Sequence, residues 1–77
     1  MDAQAIELRI KTALPDCHLE TTIDGNKIML RVISVEFEGL NRVKRQQKIY
    51  GFLVDLIKSG EIHAVSIVTL TPEEAKR

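Results

Sequence analysis

The chain has 77 residues, a mass of 8.7 kDa and 11 basic against 11 acidic side chains, so its formal net charge is zero. That length holds one domain, residues 1–77, with one small core, and 44% hydrophobic with 29% charged residues argues against a disordered chain. Charge balance excludes a globally basic nucleic-acid binder but leaves room for a local basic patch.

In chain order, Ala3 to Leu14 places Ile6, Ile10, Ala13 and Leu14 at helical spacing, with Glu7 and Lys11 as an i, i+4 pair on another face. Pro15-Asp16 ends that helix. Cys17 to Ile23 alternates: Cys17, Leu19, Thr21 and Ile23 face one way and His18, Glu20 and Thr22 the other, as in a half-buried strand. Asp24-Gly25-Asn26-Lys27 is a hairpin turn. The return strand, Ile28 to Val35, is apolar enough to lie centrally. Glu36 to Asn41 reads as a loop or short turn. Asn41 caps a long helix running to about Lys58, with an apolar stripe of Val43, Ile49, Tyr50, Leu53, Val54, Leu56 and Ile57. Gly51 weakens its middle and invites a bend or split, and Gly60 stands where a helix-terminating glycine belongs. Ile62 to Leu70 is a third, β-branched strand. Thr71-Pro72-Glu73-Glu74 supplies a cap, a proline at the first helical position and a capping-box glutamate for a short last helix that frays at Lys76-Arg77.

The order α-β-β-α-β-α predicts an α+β sandwich. A three-stranded mixed sheet carries the helices on one face, and a right-handed crossover makes the second and third strands parallel. The start of the third strand, Ile62-His63, then shares an edge with the turn Asp24 to Lys27. Cys17 and His18 fall at the other end of the first strand, roughly 20 Å away by strand rise.

The chemically active stock is small. One cysteine, Cys17, excludes an internal disulfide and any zinc site needing two cysteines. His18 and His63 are the only imidazoles, and neither spacing suggests a nucleophile with its base, so an enzyme is not expected. Cys17 reads as a small buried apolar residue. Arg42, Lys44, Arg45 and Lys48 form the sharpest electrostatic feature. Cations at a helix N-terminus oppose its dipole, so they invite either a phosphate contact or a solvated face balanced by Glu36 and Glu38. No apolar run approaches the ~20 residues that cross a bilayer. The first residues have neither a basic nor an apolar leader region, so no signal peptide, no membrane and a cytoplasmic location are expected.

Phe37-Glu38-Gly39-Leu40, Arg42-Val43-Lys44-Arg45-Gln46-Gln47-Lys48-Ile49-Tyr50, Ile62-His63-Ala64-Val65-Ser66-Ile67 and Leu70-Thr71-Pro72-Glu73-Glu74 together resemble the BolA family, over essentially the whole chain. The Lys-Arg-Gln-Gln stretch is more similar to the IbaG (YrbA)-like branch than to BolA proper. The resemblance implies a class II KH-like topology and a non-enzymatic partner of monothiol glutaredoxins in stress response. A [2Fe-2S] cluster would be shared with the glutaredoxin, glutathione lying on the glutaredoxin side, and no cofactor in the isolated chain, a monomer or weak dimer. The family's histidine ligand before the third strand carries over to His63. Its second ligand, a His or Cys from the loop after the first strand, has no counterpart in Asp24-Gly25-Asn26-Lys27. Asp24 offers an oxygen there, a harder and poorer donor for iron. Partner contact is expected at Asp24, Asn26, Lys27 and His63, on one edge shared with the basic segment Arg42 to Lys48. The alternative is a transcription regulator that binds duplex DNA through Arg42, Lys44, Arg45 and Lys48. A KH-type nucleic-acid loop would need Gly-x-x-Gly, and Arg42 stands where the second glycine would fall.

Overall fold

The computed structural model describes residues 2–76. Helix α1 (Ala3–Ala13) leads into strands β1 (His18–Asp24) and β2 (Lys27–Ile33), a 3-10 turn (Val35–Phe37), helix α2 (Arg42–Ser59), strand β3 (Ala64–Leu70) and the short helix α3 (Pro72–Ala75). The sheet order is β1-β2-β3, with β1 antiparallel and β3 parallel to β2. The expected α+β order and mixed sheet are therefore what the chain builds.

Period-two alternation decides what each strand buries. On β2, Ile28, Leu30 and Val32 are buried while Met29 stands 57% exposed. Leu19 from β1 and Ile67 from β3 join them on the same face, against Ile6, Ile10 and Leu14 from the first helix and Ile49 and Leu53 from α2. Each such side chain contributes roughly 1.5–3 kcal/mol by leaving water. Both long helices thus cover one face, and Glu20, Thr22, Arg31, Ser66 and Val68 look out from the other. Arg9 ties the two helices together through Asp55 at 2.5 Å and the Phe52 carbonyl at 3.1 Å. That ion pair is exposed on both sides, so solvent screens it and it contributes little.

The punctuation residues act as their chemistry requires. Asn41 Oδ1 accepts from Lys44 N–H, Gly60 terminates α2 at φ 84, and Thr71 with Glu74 forms the full capping box behind Pro72. Lys76 closes α3 by donating its N–H to the Glu73 and Glu74 carbonyls. The fraying expected at Lys76-Arg77 concerns in part Arg77, which lies outside the described residues. Gly25 at φ 64, followed by Asn26 at negative φ, has the φ signs of a type II′ hairpin turn.

Several expectations need correction. The stripe on α2 is narrower than its apolar residues suggest. Ile49 and Leu53 are buried, but Val43, Tyr50 and Val54 are 63%, 38% and 46% exposed, because a helix over one sheet face hides only one side. Gly51 neither splits nor ends α2, which runs unbroken from Arg42 to Ser59. The return strand stops at Ile33, since Ser34 caps the 3-10 turn by accepting from Glu36 N–H. Phe37, read as part of a loop, is fully buried in the core. Glu7 does not pair with Lys11 but accepts from Thr21 Oγ1 at 3.2 Å, tying α1 to β1.

Candidate partner-binding and ligand site

His63 is placed by a four-residue connection, residues 60–63, between α2 and β3. After Gly60 turns the chain, Ile62 is buried, and its N–H donates to the Leu56 carbonyl at 3.3 Å. Burying Ile62 leaves the next side chain exposed. The His63 N–H donates to the Asn26 carbonyl at 3.1 Å, which ties the start of the third strand to the hairpin tip. The Gly60 α-carbon lies beside this ring: a β-carbon built there would stand 3.9 Å from His63 Nε2. In register, Asp24 faces Lys27 and Lys27 faces Ala64. Asp24, Asn26, Lys27 and His63 therefore lie together at one end of the sheet, all exposed.

Their donor set matters for any metal. Asp24 and Ala64 are two strands apart, about 10 Å by strand spacing, and carboxylate oxygen is a poor match for iron already held by sulfur. Among the described residues no group of three His, Cys, Asp or Glu side chains is gathered to hold a metal ion. The chain by itself offers one well-suited ligand at this end, the imidazole of His63.

Cys17 and His18 lie where the topology put them, at the opposite end. His18 pairs with Ile33 while Asp24 pairs with Lys27, six residue steps or about 20 Å along the strand. Cys17 is half-buried against the core, its N–H bonded to the Leu14 carbonyl. Burial, reinforced by the Asp16 carboxylate, pushes its thiol pKa up, away from a reactive thiolate.

The basic segment is not at the His63 end. The 18 residues of α2 span about 27 Å, and the parallel crossover sets the N-terminus of that helix beside the C-terminal end of β3. There a groove of about 390 Å³ is lined by Arg42, Arg45, Gln46, Val68, Leu70 and Glu74, among others. Arg45 is committed within it: its guanidinium donates to Glu74 Oε1 at 2.6 Å and to the Leu40 carbonyl at 2.8 Å. Lys48 lies 3.9 Å from Glu36. Arg42 and Lys44 remain exposed with no ion-pair partner among the described residues. The expectation of one edge uniting His63 with Arg42 to Lys48 therefore fails. The Arg45–Glu74 pair was missed although its signal was available: a crossover helix must begin where the third strand ends, and Glu74 is the N3 residue of the cap at that spot.

A family model described as "BolA-like protein" matches residues 1–74. The chain belongs to the BolA family. It is 35% identical over 77 residues to the acid stress protein IbaG of Escherichia coli (strain K12), covering all of this chain and 92% of that protein. Among solved structures, the BolA domain of SufE1 from Arabidopsis thaliana superposes with a TM-score of 0.85 at 32% identity, over 96% of this chain and 98% of that one. A BolA homologue from Coxiella burnetii superposes with a TM-score of 0.84 at 29% identity, over 100% and 99% of the two chains. Among the described residues of this BolA-family chain, no helix is long and apolar enough to cross a membrane.

Glu74 gives the fold a pH dependence. The Thr71 N–H first, and then the Arg45 guanidinium, hold its carboxyl below the usual carboxylate range. A carboxyl with a lowered folded pKa contributes stability that is complete above its unfolded pKa. That contribution is lost as pH falls through the folded value. Glu74→Gln should therefore be less stable than the parent at neutral pH, and the two melting temperatures should converge at strongly acidic pH. Parallel curves across the whole range would remove Glu74 from the acid response.

Proposed function

We propose that this chain is a non-enzymatic adaptor that meets a monothiol glutaredoxin at the end of the sheet holding His63 and the turn Asp24 to Lys27. There it supplies His63 as its single ligand to a [2Fe-2S] cluster shared with the glutaredoxin and its glutathione. The observation that carries this reading is the exposed His63 imidazole beside the hairpin tip, anchored through Asn26 but not enclosed. Imidazole is a suitable donor for iron, and a rigid backbone anchor orients it without consuming its ring nitrogens. The absence of a three-residue ligand group among the described residues suits a cluster completed by another protein. The DNA-binding alternative draws less support, because Arg45 and Lys48 already face Glu74 and Glu36.

The test is reconstitution of iron and sulfide on the mixed proteins with glutathione. His63→Ala should change the visible absorption and circular dichroism of the complex, and Asp24→Ala should leave both as they are. Spectra indifferent to His63→Ala would reject the imidazole as a ligand. Binding of the cluster-free glutaredoxin, followed by calorimetry, separates loss of the ligand from loss of the partner.

A further inference from the structure

One side of the molecule carries two features that are largely unused among the described residues. The first is the free edge of β3. It is an outer strand, and its seven residues contain neither a charge nor a proline. Soluble proteins normally guard such an edge with charge, proline or a bulge. The other outer strand, β1, carries His18, Glu20 and Asp24. Among the described residues the one side-chain hydrogen bond to this edge comes from the Gln46 amide, which donates to the Ile67 carbonyl at 3.5 Å, the long limit of a hydrogen bond.

The second feature is the outward stripe Val43, Tyr50 and Val54 on α2. Gln46 lies three positions after Val43 and four before Tyr50, so the stripe borders the residue that reaches over the edge of β3. Gly51 lies beside it. A β-carbon there would meet nothing within 4 Å, so the chain's own packing gives no reason for the least favoured helix residue after proline.

We propose that a second copy of this chain docks on this side, β3 antiparallel to β3 about a two-fold axis at Ile67, with the two α2 helices antiparallel above the junction. The register supports self-pairing. The Leu70 carbonyl turns toward β2 to accept from Ser34, while that of Ile67 turns outward to Gln46. Alternation then aims the peptide groups of Val65, Ile67 and Thr69 at the free edge. An axis at Ile67 sets Ile67 against Ile67 of the partner subunit and Val65 against Thr69 of the partner subunit, so every outward group meets another. The strand has no charges to repel. Above it, the basic first turn of each α2, with the exposed Arg42 and Lys44, comes beside the C-terminal half of the other helix, and the antiparallel helix dipoles attract. This goes beyond the adaptor reading, which uses His63 and the hairpin tip.

Sedimentation velocity from micromolar to millimolar concentration tests the proposal. The parent should move to a dimer and no further. Val54→Lys puts a charge into the helix seam at an exposed position. Val65→Pro removes an outward N–H that the chain's own ladder does not need. Each should raise the dissociation constant tenfold or more with an unchanged far-ultraviolet dichroism spectrum, and Gln46→Ala, which frees the Ile67 carbonyl, should lower it. A parent that stays monomeric at millimolar concentration, grows open-ended, or self-associates as well with Val54→Lys as without it would overturn the dimer. If Val65→Pro fails to fold, Val54→Lys decides alone.

Discussion

Replacing Phe37 by Ala is expected to remove about 3–5 kcal/mol of stability, the usual cost of emptying a large buried aromatic site. The side chain is completely enclosed, the largest residue of the core to be so. It enters from a single 3-10 turn whose caps, the Ser34 side chain and the Glu38 N–H, hold that turn in place. Neighbouring side chains come from rigid elements and cannot collapse inward far enough to refill the space. Whole domains are stable by only about 5–15 kcal/mol, and small ones lie at the low end. Urea unfolding should therefore show a large fall in midpoint, or a chain already unfolded in buffer. A loss under about 1.5 kcal/mol, typical of volume-conserving core exchanges, would mean that the site relaxes and that Phe37 is no keystone.

Ser34→Ala is the second large effect, expected at about 1–3 kcal/mol, from the lost cap and the lost hydrogen bond to a carboxylate. Ser34 is fully buried, and its hydroxyl does two things at once. It donates toward the Asp16 carboxylate, 3.0 and 3.1 Å from the two oxygens, and accepts from Glu36 N–H at 3.1 Å. Asp16 also accepts from Val35 N–H at 2.9 Å. The loop after α1 is thereby pinned to the loop after β2. Thermal unfolding of Ser34→Ala and Asp16→Ala, singly and together, checks this coupling. Additive losses would mean the two residues act separately.

Much of the fold was legible because its signals are local. Alternation through Leu19, Ile23, Ile28 and Leu30 needs no knowledge of the rest of the chain. Neither do the caps at Asn41, Gly60 and Thr71, each read correctly from residue type and spacing. The position of His63 followed from topology, since a parallel crossover returns the third strand to the hairpin edge. What escaped depends on which side of an element finds a neighbour. Val43, Tyr50 and Val54 are apolar whether or not anything covers them, and a three-stranded sheet is too narrow to cover both flanks of α2. The role of Phe37 escaped because one buried ring in a short turn has no period to detect. The basic segment was read with Glu36 and Glu38 as its counter-charges, and the Arg45–Glu74 pair escaped because Glu74 lies far away in sequence, although Arg45 touches it in space.

The parallel pairing of β2 with β3 governs the order of assembly. The β1–β2 hairpin closes over a two-residue turn and can form early from neighbouring sequence. The third strand finds its place only after all of α2 has been reeled in, so the sheet is completed by a long-range, entropically slow encounter. His63 heads that last strand. At the end of the sheet that carries His63, the hairpin half is thus made early and the His63 half last, so its completion reports that the whole chain has folded.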